Sequence, residues 1–369
     1  MTEKPMIVSP VIVIAAGGTG GHIFPAKAVA TVLQERDYHI EWVGAATGLE
    51  TQLVKEYPLH LLPVKGLRKR SIVSRIAACG YLVGSVIQAY VLLRRLKPRC
   101  VLAMGGYPAV PSGLAAKLLG IPLLIHEQNA AAGLSNRLLA RIATRVLAAF
   151  PDAFPKRVHA EVVGNPVRES ILAIRSPVSR YAARSTRLLR ILVIGGSQGA
   201  IPLNTWVLKA LETFAEKGQV EIWHQTGERD LQTVKSAYHR LHMTARVESF
   251  VAVDEAFAWA DAIVCRAGAG TVSEVWAVGI PAFFVPYPGA VDDHQFKNAM
   301  HLVNQQAAYI ARQKDLSVEQ FHTFWRSVLY DVEKWVRVLE ASRKTAVRDS
   351  TALIVNMLAA MNGGAESNQ

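Results

Sequence analysis

The chain has 369 residues, 51% of them hydrophobic and 19% charged, with a net charge of +12 at pH 7. That length suits two domains of ordinary size, and that composition builds packed cores and excludes a disordered chain. The positive balance points to acidic partners: nucleic acid, phosphorylated small molecules or anionic lipid. The three cysteines, Cys79, Cys100 and Cys265, have no paired spacing. This argues for a reducing cytosol and against a disulfide framework or a zinc site. Residues 1–10 carry both charge signs and no long apolar core, so no signal peptide is expected.

The chain opens with Val11-Ile12-Val13-Ile14-Ala15, a β-branched run that reads as a buried strand. The stretch Ala16-Gly17-Gly18-Thr19-Gly20-Gly21-His22-Ile23-Phe24-Pro25 follows, and then Ala26–Gln34, helical in composition. Glycines in a strand-to-helix turn let a ligand approach the backbone, and a helix start favours a phosphate or an anionic transition state. The dinucleotide fingerprint is absent, because Ile23 stands where it needs Gly or Ala. His22 falls at the helix mouth, where an imidazole can do acid–base work.

Strand-like runs continue at 39–43, 60–64, 100–103, 123–126 and 145–149, with helix-like runs at 49–55, 72–96, 110–119 and 134–142. The alternation predicts a parallel sheet covered on both faces, with ligands beyond the carboxyl ends of its strands. The loops to watch are therefore 17–22, 104–107 and 126–129. Between His60 and Cys100 there are nine Lys or Arg and no Asp or Glu, bracketing Ile76–Leu93, eighteen residues without a charge. Gly80, Gly84, Ser85 and Gln88 inside that run, and a sheet strand directly after it, argue against a membrane span. An apolar helix with basic flanks fits a membrane-surface patch or an ordinary core helix with a solvated rim.

Gly164-Asn165-Pro166-Val167-Arg168 closes the first half with turn residues, and 175–190 reads as a basic linker or loop. The pattern then restarts. A strand at 188–194 leads into Gly195-Gly196-Ser197-Gln198-Gly199, a second glycine turn opening a helix. Further strands are expected at 220–225, 246–250, 262–265 and 282–286, with helices at 230–241, 254–259 and 270–278. The resulting fold class is α/β: two doubly wound Rossmann-like domains facing each other across a cleft, spanning 1–165 and 166–349. Residues 318–361 are helical in composition, and the last helix, 350–361, is expected to complete the first domain.

The densest cluster of candidate ligands is Cys265-Arg266-Ala267-Gly268-Ala269-Gly270-Thr271-Val272-Ser273-Glu274. A helix start there could hold diphosphate oxygens, with Thr271 and Ser273 as hydroxyl donors. Glu274, one turn in, could accept two vicinal ribose hydroxyls. Asp292-Asp293-His294-Gln295 invites a metal reading, but the cluster is contiguous and no second ligand set accompanies it. His126-Glu127-Gln128-Asn129 is not a two-histidine zinc helix, because Ala130 stands four residues after His126. No serine-nucleophile elbow and no Walker lysine appear.

Six of these motifs occur in one order: Gly17–His22 with Pro25, Gly105-Gly106-Tyr107, His126–Asn129, Gly164–Arg168, Gly195–Ala200 and Arg266–Glu274. Together they resemble the bacterial peptidoglycan N-acetylglucosaminyltransferases that make lipid II, over nearly the whole chain. The resemblance implies a GT-B fold, an inverting and metal-independent transfer, and no cofactor. The donor would be UDP-N-acetylglucosamine, and the acceptor an undecaprenyl-diphosphate-linked N-acetylmuramyl-pentapeptide. It further implies a peripheral enzyme on the cytoplasmic face of the inner membrane, drawn to its anionic surface, with the acceptor on the first domain and UDP on the second. By matching position, His22 resembles the general base. The implied substrate-binding residues are Thr19, Gly20, Gly21, Asn129, Arg168, Ser197, Val251, Ala269, Gly270, Thr271, Val272, Ser273, Glu274, His294 and Gln295.

Two departures stand out. Gly289 replaces a frequent His, and Gly66-Leu67-Arg68-Lys69-Arg70 replaces a more glycine-rich basic loop. The alternatives are another GT-B enzyme, such as a UDP-sugar 2-epimerase, or a nicotinamide-dependent oxidoreductase lacking its fingerprint. No nucleic-acid-binding module is recognisable.

Overall fold

The computed structural model describes residues 9–46, 48–64, 72–183, 188–196 and 199–361, without the side chains of 72–79. The chain divides into two units, Met1–Pro166 with Asp349–Gln369, and Val167–Arg348. The first unit runs β1 (Val11–Ala16), α1 (Gly20–Glu35), β2 (His39–Ala45), α2 (Glu50–Leu53), β3 (Leu59–Leu62), α3 (Ile72–Leu96), β4 (Cys100–Gly105), α4 (Ala109–Leu118), β5 (Leu123–Glu127), α5 (Leu134–Leu139), β6 (Arg145–Ala148) and β7 (Glu161–Val162). The second runs α6 (Glu169–Leu172), α7 (Pro177–Ala182), β8 (Leu189–Ile194), α8 (Ile201–Thr213), β9 (Val220–Gln225), α9 (Leu231–Arg240), β10 (Ala245–Glu248), α10 (Val253–Trp259), β11 (Ala262–Cys265), α11 (Ala269–Val278), β12 (Ala282–Phe284), α12 (His294–Val303), β13 (Ala308–Ile310), α13 (Val318–Tyr330) and α14 (Val332–Thr345). The last helix, α15 (Ser350–Ala359), belongs to the first unit.

Each unit holds one sheet whose described strand pairs are all parallel, in the orders β3-β2-β1-β4-β5-β6-β7 and β10-β9-β8-β11-β12-β13. In both, the strand order reverses beside the first strand. The chain leaves β1 and β4, or β8 and β11, in opposite directions, so a crevice opens at their carboxyl ends. Both glycine turns lie at these switch points.

Strand β1 shows how the sequence builds the first unit. Its side chains alternate between two cores. Ile12, Ile14 and Ala16 join Val29, Ala30 and Leu33 of α1 and Ile354, Val355 and Leu358 of α15. Val13 and Ala15 join Ala89 and Leu93 of α3, Ala115 and Ala116 of α4 and Leu139 of α5. Polar contacts anchor α15 as well. Arg36 donates to Asn356 Oδ1 (2.6 Å), and Arg99 donates to the carbonyls of Ala359 (2.8 Å) and Met361 (2.6 Å).

Two local expectations change. The first helix starts at Gly20, six residues before the helical composition begins, so Gly20, Gly21 and His22 form its first turn. The amides of His22 and Ile23 bond back to the Thr19 carbonyl at 3.1 and 3.2 Å. Packing of Ile23, Ala26 and Val29 carries the helix through glycines of poor propensity. The expected linker at 175–190 contains α7, with Pro177 in its first turn and Ser176 as N-cap, whose hydroxyl accepts from the Ser179 amide. Residues 184–187 of that stretch lie outside the described residues.

Candidate functional site

The first candidate site lies at the ends of β1 and β4. Gly106 has φ +81, and a Cβ there would stand 2.2 Å from the Gly17 carbonyl oxygen, so the two loops touch backbone to backbone. His22 is half-buried beside them. Its Nδ1 lies 3.2 Å from the Gly17 carbonyl oxygen, which can only accept, so in the neutral ring Nδ1 carries the hydrogen and Nε2 the lone pair. Gly105 leaves room for the ring: a Cβ there would approach His22 Cδ2 at 2.9 Å and Nε2 at 3.0 Å. Phe24, in the first turns of α1, and Tyr107, in the loop after β4, are exposed aromatic rings.

Beneath the turn sits Glu50, wholly buried, which the sequence reading did not single out. Its Oε2 accepts from the Gly18 amide at 3.0 Å and its Oε1 from the Ala45 amide. A charged residue four places past Gly44-Ala45-Ala46 was the available signal, but nothing local says where its side chain goes.

The β5 loop of the first unit is ordered by a second buried carboxylate. Glu127 Oε1 accepts from the backbone and side-chain nitrogens of Asn129 at 2.9 and 3.1 Å. Its Oε2 accepts from the Gly133 amide and Asn136 Nδ2 at 3.0 and 2.9 Å. Asn129 is thus held by Glu127, a residue omitted from the expected site. His126 is fully buried, donates through Nε2 to the Gly164 carbonyl (2.9 Å) and accepts at Nδ1 from Gln128 (3.1 Å). Burial pushes its pKa down, so it is a neutral structural link.

The second candidate site lies at the ends of β8 and β11. The Gly195 amide donates to Gln225 Oε1 at 3.2 Å, and Gln225 Nε2 donates to the Ser249 carbonyl at 2.9 Å. Gly199 has φ +74 and packs on the Thr226 carbonyl, which Asn204 of α8 also holds. Asn204 belongs to a buried network in which His224 bridges its Oδ1 (3.0 Å) and the Tyr238 hydroxyl (2.9 Å). Burial holds His224 neutral, with its pKa pushed down to about 3. Asn204 Nδ2 also donates to the buried carboxylate of Asp230 at 2.7 Å, so the network behind Gly199 ends in an acid, while the group that meets the Gly195 amide, Gln225 Oε1, is neutral. Ser197 lies outside the described residues.

Helix α11 begins with Ala269-Gly270-Thr271. A Cβ on Gly270 would meet nothing within 4 Å, so the protein's own packing does not require glycine there. Glu274 is 17% exposed and pairs with Arg168, 50% exposed, at 2.7 Å. Burial pushes the Glu274 carboxyl up from 4.5, and Arg168 opposes the shift. Ser273 is nearly buried and Val272 fully so, which leaves Val272 its backbone as a route to a ligand. Arg266 donates to the carbonyls of Val285 (3.0 Å) and Pro286 (3.2 Å) and to Gln313 (2.7 Å). Those bonds fix the end of β12.

At α12, His294 donates from Nδ1 to the Val291 carbonyl (2.7 Å), and Gln295 Oε1 accepts from the Tyr287 amide (2.8 Å). Asp292 and Asp293 both have left-handed backbone, at φ 51 and 56, and Asp293 is clamped by both terminal nitrogens of Arg312. Val251 follows β10, half-buried, next to exposed Phe250. No group of three His, Cys, Asp or Glu able to hold a metal occurs among the described residues.

The comparisons with known proteins accord with this arrangement. The glycosyltransferase family 28 N-terminal domain matches residues 12–148, and the family's C-terminal domain matches residues 190–349. A Coxiella burnetii (strain Dugway 5J108-111) protein named UDP-N-acetylglucosamine–N-acetylmuramyl-(pentapeptide) pyrophosphoryl-undecaprenol N-acetylglucosamine transferase is 42% identical over 346 residues, covering 93% of this chain and 96% of its own. A Tolumonas auensis protein of the same name is 43% identical over 354 residues, covering 95% of this chain and 98% of its own. The crystal structure of Acinetobacter baumannii MurG superposes with a TM-score of 0.84 at 35% identity, over 96% of this chain and 100% of that one. Matched in both halves and along nearly its full length, the chain belongs to glycosyltransferase family 28, as an enzyme of the GT-B fold.

Proposed function

We infer that the protein transfers N-acetylglucosamine from UDP-N-acetylglucosamine to the 4-hydroxyl of undecaprenyl-diphosphate-linked N-acetylmuramyl-pentapeptide, giving lipid II for peptidoglycan and so for cell shape and division. The carrying observation is the 42% identity, over 93% of the chain, to a relative bearing that name. Identity of that extent favours this reading over a UDP-sugar 2-epimerase, which shares only the architecture.

In the reaction, the acceptor oxygen attacks the anomeric carbon as the bond from that carbon to the β-phosphate oxygen breaks. The bonding pair leaves with UDP, and the configuration inverts. His22 Nε2 takes the acceptor's proton, in keeping with its Nδ1–H tautomer. The donor binds the second unit. The open start of α11 and the neutral bracing of the Gly195 turn suit a diphosphate, and Glu274 suits the ribose hydroxyls. Charge on the leaving UDP is met by helix starts and by Arg168, with no metal.

The acceptor's lipid stays in the bilayer, so the enzyme is peripheral, at the cytoplasmic face of the inner membrane. Val83, Ile87 and Val91 of α3, spaced four apart, are 58–61% exposed on one stripe that leads to exposed Arg94 and Arg95. An apolar stripe ending in cations suits an anionic membrane surface. Among the described residues, no helix is long and apolar enough to cross a membrane. The basic residues Lys65, Arg68, Lys69 and Arg70, expected to share this role, lie outside the described residues.

One assay tests the reading: UDP release from UDP-N-acetylglucosamine, with and without a lipid-linked muramyl-peptide. Release that depends on the acceptor is expected. Free sugar with UDP alone would indicate the epimerase class.

A further inference from the structure

The hydrogen bonds around the first glycine turn form a chain whose middle link is a single peptide group. Gly18 contributes the N–H that Glu50 Oε2 accepts, at 3.0 Å. Gly17 contributes the C=O that His22 Nδ1 meets, at 3.2 Å. These are the two ends of one planar amide. The carboxylate draws on the N–H end, and the imidazole leans on the oxygen end.

Everything about Glu50 is built for this placement. The residue has no exposure, and both carboxylate oxygens accept from backbone amides, the arrangement an ionised carboxylate takes. Among the described residues it has no cationic partner, so its charge is not spent in an ion pair. Three glycines make the cage: a Cβ at Gly17, Gly44 or Gly48 would approach its side chain to 2.2, 2.6 or 2.0 Å. Two further neighbours of the His22 ring, the Thr19 hydroxyl at 3.5 Å from Nδ1 and Gly105 against the Nε2 edge, are uncharged.

We propose that Glu50 is a positioning residue for the transfer reaction, acting on His22 through the Gly17–Gly18 peptide. A carboxylate at the N–H end polarises the amide and makes its oxygen a stronger acceptor, as hydrogen bonds in series do. That oxygen holds His22 in the Nδ1–H tautomer and favours the imidazolium that forms when Nε2 takes the acceptor's proton. No proton reaches Glu50. The new proton stays on Nε2, the old one stays on Nδ1, and the carboxylate supplies field and orientation. The arrangement does what the acid of a Ser-His-Asp triad does, with a peptide group inserted between acid and imidazole.

This inference rests on His22 being the base, and the experiments separate the two. Glu50→Gln removes the charge and keeps an acceptor. Turnover is expected to fall about tenfold to a hundredfold, short of the loss from removing a base outright. The KM for UDP-N-acetylglucosamine should stay within about twofold, since the effect lies in the chemical step. The acid limb of the pH–rate profile should move to lower pH, by about half to one unit, because the charge that favours the imidazolium is gone. In a His22→Ala background the same change should cost less than about twofold. An unmoved acid limb, or an undiminished loss in that background, would overturn the relay.

If Glu50→Gln does not fold, nitrogen NMR of the intact wild-type protein decides. Neutral His22 should read as the Nδ1–H tautomer, and the Gly18 amide resonance should move as His22 titrates. The other tautomer, or a Gly18 amide indifferent to that titration, would sink the proposal. A small loss in His22→Ala alone would sink the base assignment instead, which keeps the two failures distinct.

Discussion

The two glycine turns follow the first strand of each sheet, stand at equivalent switch points and open helices of similar role, yet they are braced by opposite chemistry. Under the first turn, the Gly18 amide donates to the buried carboxylate of Glu50. Under the second, the Gly195 amide donates to the neutral side-chain oxygen of Gln225. An anionic brace makes a turn a poor host for phosphate and a good neighbour for an imidazole that must become positive. A neutral brace leaves the helix start free to attract a diphosphate. On the proposed reading, similar backbone serves proton transfer in one unit and anion binding in the other, and what differs at the turn amide itself is a carboxylate in the first and an amide oxygen in the second.

The sharpest way to break the contrast is His22→Ala. If the first turn exists to serve proton transfer, turnover should fall about 10²- to 10⁴-fold with little change in donor KM. A loss below tenfold in steady-state assays would reduce His22 to a positioning role.

Next comes Gln225→Glu, which puts a carboxylate under the second turn and faces it with the Ser249 carbonyl that Gln225 now satisfies. The KM for UDP-N-acetylglucosamine should rise about tenfold to a hundredfold, in line with the cost of an unsatisfied buried charged group. Binding of UDP should suffer more than binding of uridine. Equal losses for the two ligands would mean that the brace does not act through charge.

Glu274→Ala tests the ribose assignment. Losing hydrogen bonds to a charged acceptor costs about 1.5–3 kcal/mol, so donor use should weaken by about one to two decades. A pH signature accompanies it. Burial raises the Glu274 carboxyl above 4.5, so on acidification it protonates before an ordinary glutamate. Donor affinity should fall with pH in that interval, and Glu274→Gln should remove this limb. Stability runs the other way: the contribution of a raised carboxyl is fully present below 4.5 and lost as pH rises through its folded value. Calorimetry of the ligand-free protein, wild type against Glu274→Gln, reads that sign.

A smaller effect is expected when Val83, Ile87 and Val91 are changed together to Ser. Binding to anionic vesicles should fall about threefold to thirtyfold, with donor kinetics on a detergent-dispersed acceptor unchanged. Unaltered vesicle binding in sedimentation would make the stripe an ordinary helix surface. The smallest effect is none: EDTA should leave activity intact. Activity lost to EDTA and restored by magnesium or manganese would bring Asp292 and Asp293 back as ligands, at the expense of the Arg312 clamp on Asp293.

What was legible in the sequence was whatever repeats locally. Strand and helix periods placed most of both sheets within a residue or two, and the glycine turns and the helix that carries Glu274 stand where their contiguous motifs put them. Very short β7 and β13, two and three residues long, carry too little pattern to be seen. Strand neighbours fill in their hydrogen bonds where local preference is silent.

By itself, then, the sequence determined the alternation, the two turns and the family, since these are written in composition and spacing along a few residues. Tertiary structure decided who stands behind each motif. Glu50 reaches Gly18 across 32 residues, Arg99 meets Met361 across 262, and Arg266 clasps the carbonyls of Val285 and Pro286. A side chain's partner is chosen by where the backbone brings two distant segments together. The charge under a turn is therefore invisible until the chain is folded.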